Sequence, residues 1–319
     1  MSLRLCTSAV FALLLGGTFL LTDAPAQSNA VKKIVDGVWF REGDLKLGHC
    51  NNAIIEMKDY LIIVDANYPS GARLTMADAK KLSTKPVKYV FDTHHHGDHL
   101  YGNAVWTASG ATTLAFQGVT DELKRYEPGR WKTTGRPDVD ELKLPTAEAP
   151  KQLIPAATKF TLNDGTREVQ FLQVGWAHTK GDGMAWLPKE RVLCTGDAAT
   201  NGPYNYTADG NITNWPKAME GAMQLDPLYV IPGHGRSGGK EILSGQSAYM
   251  TELRAAVAKE VAAGRKIGDL VQTKNGKTTT LVQVSAAVQN WVGGSLPGQV
   301  KDAYTEITTG KAVGELPHP

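Results

Sequence analysis

The chain has 319 residues, of which 42% are hydrophobic and 21% charged, enough for one large domain or two small ones of ordinary globular composition. Its net charge of +2 comes from Lys and Arg scattered without a basic block. That pattern argues against a nucleic-acid partner and leaves small molecules as the expected substrates.

The N-terminus reads MSLRLC, then an apolar run from Ala9 to Leu21, then Ala24-Pro25-Ala26. These are the charged, hydrophobic and small-residue parts of a secretory signal, so residues 1–26 are expected to be removed after Ala26, leaving a periplasmic or secreted protein. The apolar run is short for a bilayer, and no later stretch approaches the ~20 residues that a spanning helix needs. Membrane association is therefore not expected after cleavage. Cys6 precedes the apolar run, where a lipid-bearing cysteine would not stand. Of the other cysteines, Cys50 and Cys194 can pair only if the fold brings them within disulfide geometry.

Strand composition marks Val31 to Phe40 and Asn52 to Met57, and Lys58-Asp59 turns the chain into the apolar run Tyr60 to Val64. The loop Gly43 to Asn51 between them carries His49. Ser70 to Leu82 reads as a helix with Ser70 as its cap, ended by Lys85-Pro86 before the strand Val87 to Phe91. A helix and strand are expected between Leu100 and Phe116, and a helix over Val119 to Tyr126. Periodicity lapses from Glu127 to Pro155, which reads as a long surface loop.

Order returns at Lys159 to Leu162, and Asn163-Asp164-Gly165 turns into the strand Glu168 to Val174. Strands follow at Met184 to Leu187, Arg191 to Cys194 and Leu228 to Ile231, with a helix from Trp215 to Leu225. Tyr249, Leu253, Val257 and Val261 share one face of a helix ending near Gly264. The tail contains the turn KNGKTTT and two amphipathic stretches, without evident chemistry.

The densest chemistry is THHHGDHL, Thr93 to Leu100, directly after a predicted strand. It places His94, His96, Asp98 and His99 within six residues, and imidazole with carboxylate is a donor set for zinc or iron. Three later residues also follow predicted strands: His178 in GWAHTKGD, Asp197 in CTGDAA and His234 in IPGHGR. Of the eight histidines only His49, His95 and His318 fall outside this set.

With these four signals in order, the chain resembles the metallo-beta-lactamase superfamily over roughly Val31 to Leu270, the HxHxDH signature being met by His94, His96, Asp98 and His99. The resemblance implies an α/β fold, an αββα four-layer sandwich of two mixed sheets with metals at one edge. Residues 27–270 would form the hydrolase domain, and 271–319 a helical extension packed on it. It implies two divalent ions, zinc first, with iron or manganese as alternatives. His94, His96 and His178 would bind one, Asp98, His99 and His234 the other, and Asp197 would bridge both. His95 would lie behind or outside the site, and Thr179 and Asp182 would orient the His178 loop.

Such a pair implies a bridging hydroxide that attacks a carbonyl carbon, with Asp98 orienting it and passing a proton. The family hosts many reactions, so the fold alone does not choose among them. Asp197 stands where the cysteine-using zinc lactamases have a thiolate, and a bridging aspartate resembles glyoxalase II and lactonases. A small ester, thioester or lactone is therefore the first expected substrate. The segments ITNWPKAM and VIPGHGRSGGKEIL resemble the zinc lactamases instead, which makes a β-lactam the alternative. A non-enzymatic periplasmic metal-binding or quinoprotein-accessory role is the alternative of another class. Trp106, Trp176, Tyr204, Tyr206 and Trp215 lie near ligand-bearing loops, as candidates either for a substrate pocket or for the core. Oligomeric state is not legible.

Overall fold

The structure, a computed structural model, describes residues 30–316. The expected signal peptide and His318 lie outside these residues. Among the described residues no helix is long and apolar enough to cross a membrane.

Seven strands form the first sheet in chain order: β1 Val31–Val35, β2 Val38–Arg41, β3 Asn52–Glu56, β4 Leu61–Val64, β5 Val87–Asp92, β6 Thr112–Phe116 and β7 Gln152–Ile154. β1 to β4 pair antiparallel, whereas β4 to β7 run parallel, joined by crossovers that carry the helices Pro69–Leu82, Asn103–Ala108 and Gln117–Tyr126. The second sheet comprises β8 Phe160–Asn163, β9 Glu168–Leu172, β10 Met184–Leu187, β11 Val192–Gly196 and β12 Tyr229–Pro232. Only its β11–β12 pair is parallel. Both sheets are thus mixed.

The two-residue side-chain period of a strand explains the layers. In β3 and β4, Ile55, Ile62 and Val64 face the second sheet, packing with Phe91, Phe116 and Phe171. Their neighbours Ile54, Leu61 and Ile63 point the other way, with Val90 and Trp106, under the helices Pro69–Leu82 and Asn103–Ala108. β10 and β11 repeat the rule: Ala185, Leu187, Val192 and Cys194 face the first sheet. Met184, Trp186 and Leu193 face the helices Trp215–Gln224, Glu241–Ala262 and Leu296–Thr309. Strands buried on both faces require helices outside both sheets, and the result is the αββα sandwich.

Three details differ from the sequence reading. The first helix begins at Pro69, one residue early, and Ser70 does not cap it; its Oγ donates to Asp138 Oδ2 at 2.6 Å. The segment 127–155 is not a plain loop but holds the short helices Gly129–Thr133 and Pro137–Asp140 and strand β7. Its anchor is Trp131, which is buried and donates from Nε1 to the Leu144 carbonyl. Cys50 and Cys194 are both buried and unpaired.

A candidate binuclear metal centre

Side chains from both sheets meet where parallel strands end. Asp65 follows β4, the run His94–His99 follows β5, Asp197 follows β11 and His234 follows β12. His178 comes from the loop between β9 and β10. Loops at the carboxyl ends of parallel strands are held by a rigid sheet yet open to a cleft. Gly196, which leads into Asp197, has a φ of +52° and lies against Thr93, so a side chain there would collide with the His94 loop.

Three groups of donors converge. His94, His96 and His178 have ligand atoms within 4.8 Å of one another, as do Asp98, His99 and His234. His94, His99 and Asp197 form a third such group that joins the first two. His178 Nε2 faces His96 Nδ1 at 2.8 Å, and His234 Nε2 lies 3.0 Å from Asp98 Oδ2 and 3.5 Å from Asp197 Oδ2. The other oxygen of Asp197 lies 3.3 Å from His99 Nε2.

Each of four imidazoles is fixed by one ring nitrogen and turns the other inward. His99 Nδ1 donates to Asp65 Oδ2 at 2.8 Å, and His96 Nε2 donates to Asp209 Oδ2 at 2.7 Å. His178 Nδ1 donates to the Tyr206 carbonyl at 2.9 Å. Thr93 Oγ1, itself donating to Asp65 Oδ1, receives His94 Nδ1 at 3.0 Å. This assigns the inward nitrogens as lone-pair donors, the arrangement that metal-binding histidines use. Among the described residues, His94 Nε2, His99 Nε2 and Asp197 Oδ1 are buried and make no hydrogen bond. Leaving such atoms bare costs about 1–3 kcal/mol each. Divalent cations would satisfy these atoms, so the residues fit one or two such ions.

Electrostatics follow from this crowding. Burial alone would raise the Asp98 carboxyl, but the neighbouring His99 imidazole and the hydrogen bond from His234 outweigh it and hold the group at about 2. His234 is pushed up to about 10, because Asp197 and Asp98 overcome the burial that opposes its charge. Burial drives His94 well below its ordinary value. Asp209 is held far below the carboxylate range: its burial is outweighed by His95, His96 and Arg130.

The loop behind His178 is fixed by Asp182, as expected from the sequence. Its carboxylate accepts the backbone N–H groups of Ala177, His178 and Thr179 and the Thr179 hydroxyl, at 2.7 to 3.2 Å. His95 is buried behind the site, stacked on Tyr126 with ring centroids 5.0 Å apart. His49 is also buried, but its Nε2 pairs with Ser70 Oγ at 2.8 Å, away from the metal cluster.

A cleft of about 440 Å³ opens over Asp98, Asp197 and His234, walled by Tyr68, Tyr101, Tyr204, Tyr206 and Arg130. Of the five aromatic candidates, Tyr204 and Tyr206 line it. Trp106 instead is wholly buried under the first helix, its Nε1 donating to the Ala66 carbonyl. Trp215 is equally buried, edge-on to His178 at 5.8 Å between centroids, and Trp176 donates to the Asp209 carbonyl. Asp65, Asp209, Arg130, Tyr68 and Tyr101 were not anticipated. Asp65 ends an apolar strand in IIVDAN as Asp197 ends its own, a signal that could have found it. Arg130 and Asp209 lie in segments without periodicity and gave no such signal.

Known proteins resemble this chain in sequence and fold. A model described as the metallo-beta-lactamase superfamily matches residues 45–234. The metallo-beta-lactamase type 2 of Bacteroides fragilis is 32% identical over 82 residues, which are 24% of this chain and 32% of that protein, so the match spans about a third of the relative. That of Bacillus sp. (strain 170) is 23% identical over 199 residues, 60% of this chain and 69% of that protein. Among solved structures, a metallo-beta-lactamase from Pontibacter korlensis superposes with a TM-score of 0.57 at 20% identity, over 70% of this chain and 98% of that one. The enzyme from Hirschia baltica gives 0.56 at 23% identity, over the same shares. These structural likenesses are likenesses of fold. Fold, donor clusters and family model converge: the chain belongs to the metallo-beta-lactamase superfamily, with candidate metal-binding clusters typical of its zinc hydrolases.

Proposed function

We propose that the protein is an exported binuclear hydrolase of small carboxylic acid derivatives, with β-lactams as its leading substrate class. The observation that carries the hydrolase reading is the pair of three-donor clusters joined by Asp197 at the floor of one cleft. His94, His96 and His178 would hold one ion, and Asp98, His99 and His234 the other, with Asp197 between them. Two bound divalent ions, zinc foremost and iron or manganese as alternatives, would supply a hydroxide at neutral pH and polarise a carbonyl oxygen.

The chain's own residues do the rest. Asp98, at the lining of the cleft 3.0 Å from His234 Nε2, is placed to orient a water and pass its proton. Asp65, Asp209 and the Tyr206 carbonyl hold the imidazoles of His99, His96 and His178 in one tautomer and one orientation, and Asp182 fixes the backbone of the His178 loop, so little reorganisation accompanies the reaction. The tyrosine wall would cover a bound substrate, and Tyr68, Tyr204 and Tyr206 would offer hydroxyl donors to its polar groups, the Tyr101 hydroxyl being given to Glu127.

The β-lactam assignment draws on the curated relatives, two of which are metallo-beta-lactamases type 2 that this chain matches over 199 residues each. A second reading, hydrolysis of a small ester, thioester or lactone, is favoured by Asp197 itself, a carboxylate of the glyoxalase II and lactonase kind. Cys194 offers no substitute thiolate, since it faces the buried space between the sheets and burial pushes its thiol up.

Zinc-loaded protein assayed against a chromogenic cephalosporin, a lactone and a thioester separates these readings. The expected result is a kcat/KM for the cephalosporin that exceeds the others. A preference of roughly tenfold or more for the lactone or thioester would install the second reading. Zinc-loaded protein inert toward all three would favour a non-enzymatic metal-binding role.

A further inference from the structure

One wall of the cleft is the loop from Asp197 to Trp215, and the chain's C-terminal part grips it at short intervals. Trp291 Nε1 donates to the Thr200 carbonyl at 2.8 Å. Gln299 Nε2 and Ser295 Oγ donate to the Asn205 carbonyl at 2.7 and 3.2 Å. Thr207 Oγ1 donates to Asp302 Oδ2 at 2.5 Å. Glu306 accepts the backbone N–H groups of Ile212 and Thr213 at 2.8 and 3.0 Å, and Gly314 N donates to the Gly210 carbonyl at 3.2 Å.

The loop alternates between its two neighbours. Asn205 and Thr207, 3% and 1% exposed, turn inward, Asn205 to Gln246 of the helix Glu241–Ala262 and Thr207 to Asp302 of the helix Leu296–Thr309, whereas Tyr204 and Tyr206 turn toward the cleft. The same stretch fixes two of the inward-facing imidazoles, His178 through the Tyr206 carbonyl and His96 through Asp209. The gripping residues lie beyond residue 234, where the superfamily match ends.

We infer that residues 291–314 are a positioning brace for the active site, with Gln299, Asp302 and Glu306 setting the loop that carries Tyr204, Tyr206 and Asp209. None of the three touches the reacting groups; they act through the loop. The inference rests on the hydrolase reading for its effect on turnover, but its mechanical part stands on this contact pattern alone. A free loop of this length would sample many conformations, and five anchoring points within fourteen residues remove most of that freedom before substrate arrives.

The test uses full-length, zinc-loaded protein, two variants that loosen the brace and a third as control. Thr207→Val removes one donor with little change of shape, and Gln299→Leu removes the grip on Asn205. Hydrogen exchange at the amides of residues 200–213 is expected to quicken roughly five- to tenfold, with β3 to β5 unchanged. KM should rise roughly three- to tenfold while kcat at saturating zinc stays within about twofold. Asp302→Asn keeps an acceptor for Thr207 and should remain within about twofold of wild type. Unchanged exchange at 200–213, or a quickened loop with unchanged KM, overturns the brace. Thr207→Val decides alone if Gln299→Leu does not fold. Should the wild type hydrolyse nothing, the functional reading has failed, and zinc affinity replaces KM: a weakening of roughly tenfold supports the brace and no change overturns it.

Discussion

Behind four of the imidazoles that face the centre stands an oxygen that fixes the ring's orientation, and two of these oxygens belong to carboxylates from distant parts of the chain. Asp209 is 113 residues from His96, and Asp65 is 34 from His99. The inward-facing histidines were legible because their spacing is itself the signal, whereas a carboxylate behind them has no local motif. Asp182 was the exception, being four residues from the histidine whose loop it fixes. Its removal exposes three buried N–H groups, so Asp182→Ala is expected to cost about 2–4 kcal/mol of stability and to weaken zinc binding roughly 10- to 100-fold. Denaturant titration and zinc titration check this; wild-type zinc affinity in the variant would show that the loop needs no such support.

The strands and helices that bury a face were readable from period and composition. The segments that build the cleft were not. The segment 127–155 reads as irregular because its helices are single turns, too short to show a period, yet it supplies Arg130, whose Nη2 lies 2.9 Å from Asp209. Aromatic residues illustrate the same limit from the other side. Trp106 and Tyr206 look alike in a sequence, but the first is wholly buried and the second 46% exposed at the cleft. Trp106→Ala should therefore cost about 3–5 kcal/mol of stability, seen as a lowered denaturation midpoint, and leave kcat/KM of the surviving folded enzyme within about threefold of wild type. A large loss of kcat/KM at full folding would place Trp106 in the reaction.

At the scale of the whole molecule, two sheets contribute to one site because the carboxyl ends of their parallel strands open at the same edge of the sandwich. β4 and β5 bring Asp65 and the histidine run, while β11 and β12 bring Asp197 and His234. The layered architecture was legible through the family signature and agrees with strands buried on both faces. The C-terminal grip on the Thr200–Thr213 loop was not legible, since it consists mostly of side-chain to backbone bonds across about 90 residues of sequence. The central claim is that this shared edge holds two ions joined by Asp197. Metal content per chain after zinc reconstitution, measured on wild type and Asp197→Ala, tests it most directly. Two ions in the wild type and fewer than two in the variant are expected; a wild type that never binds more than one, or a variant that still binds two, would contradict the claim.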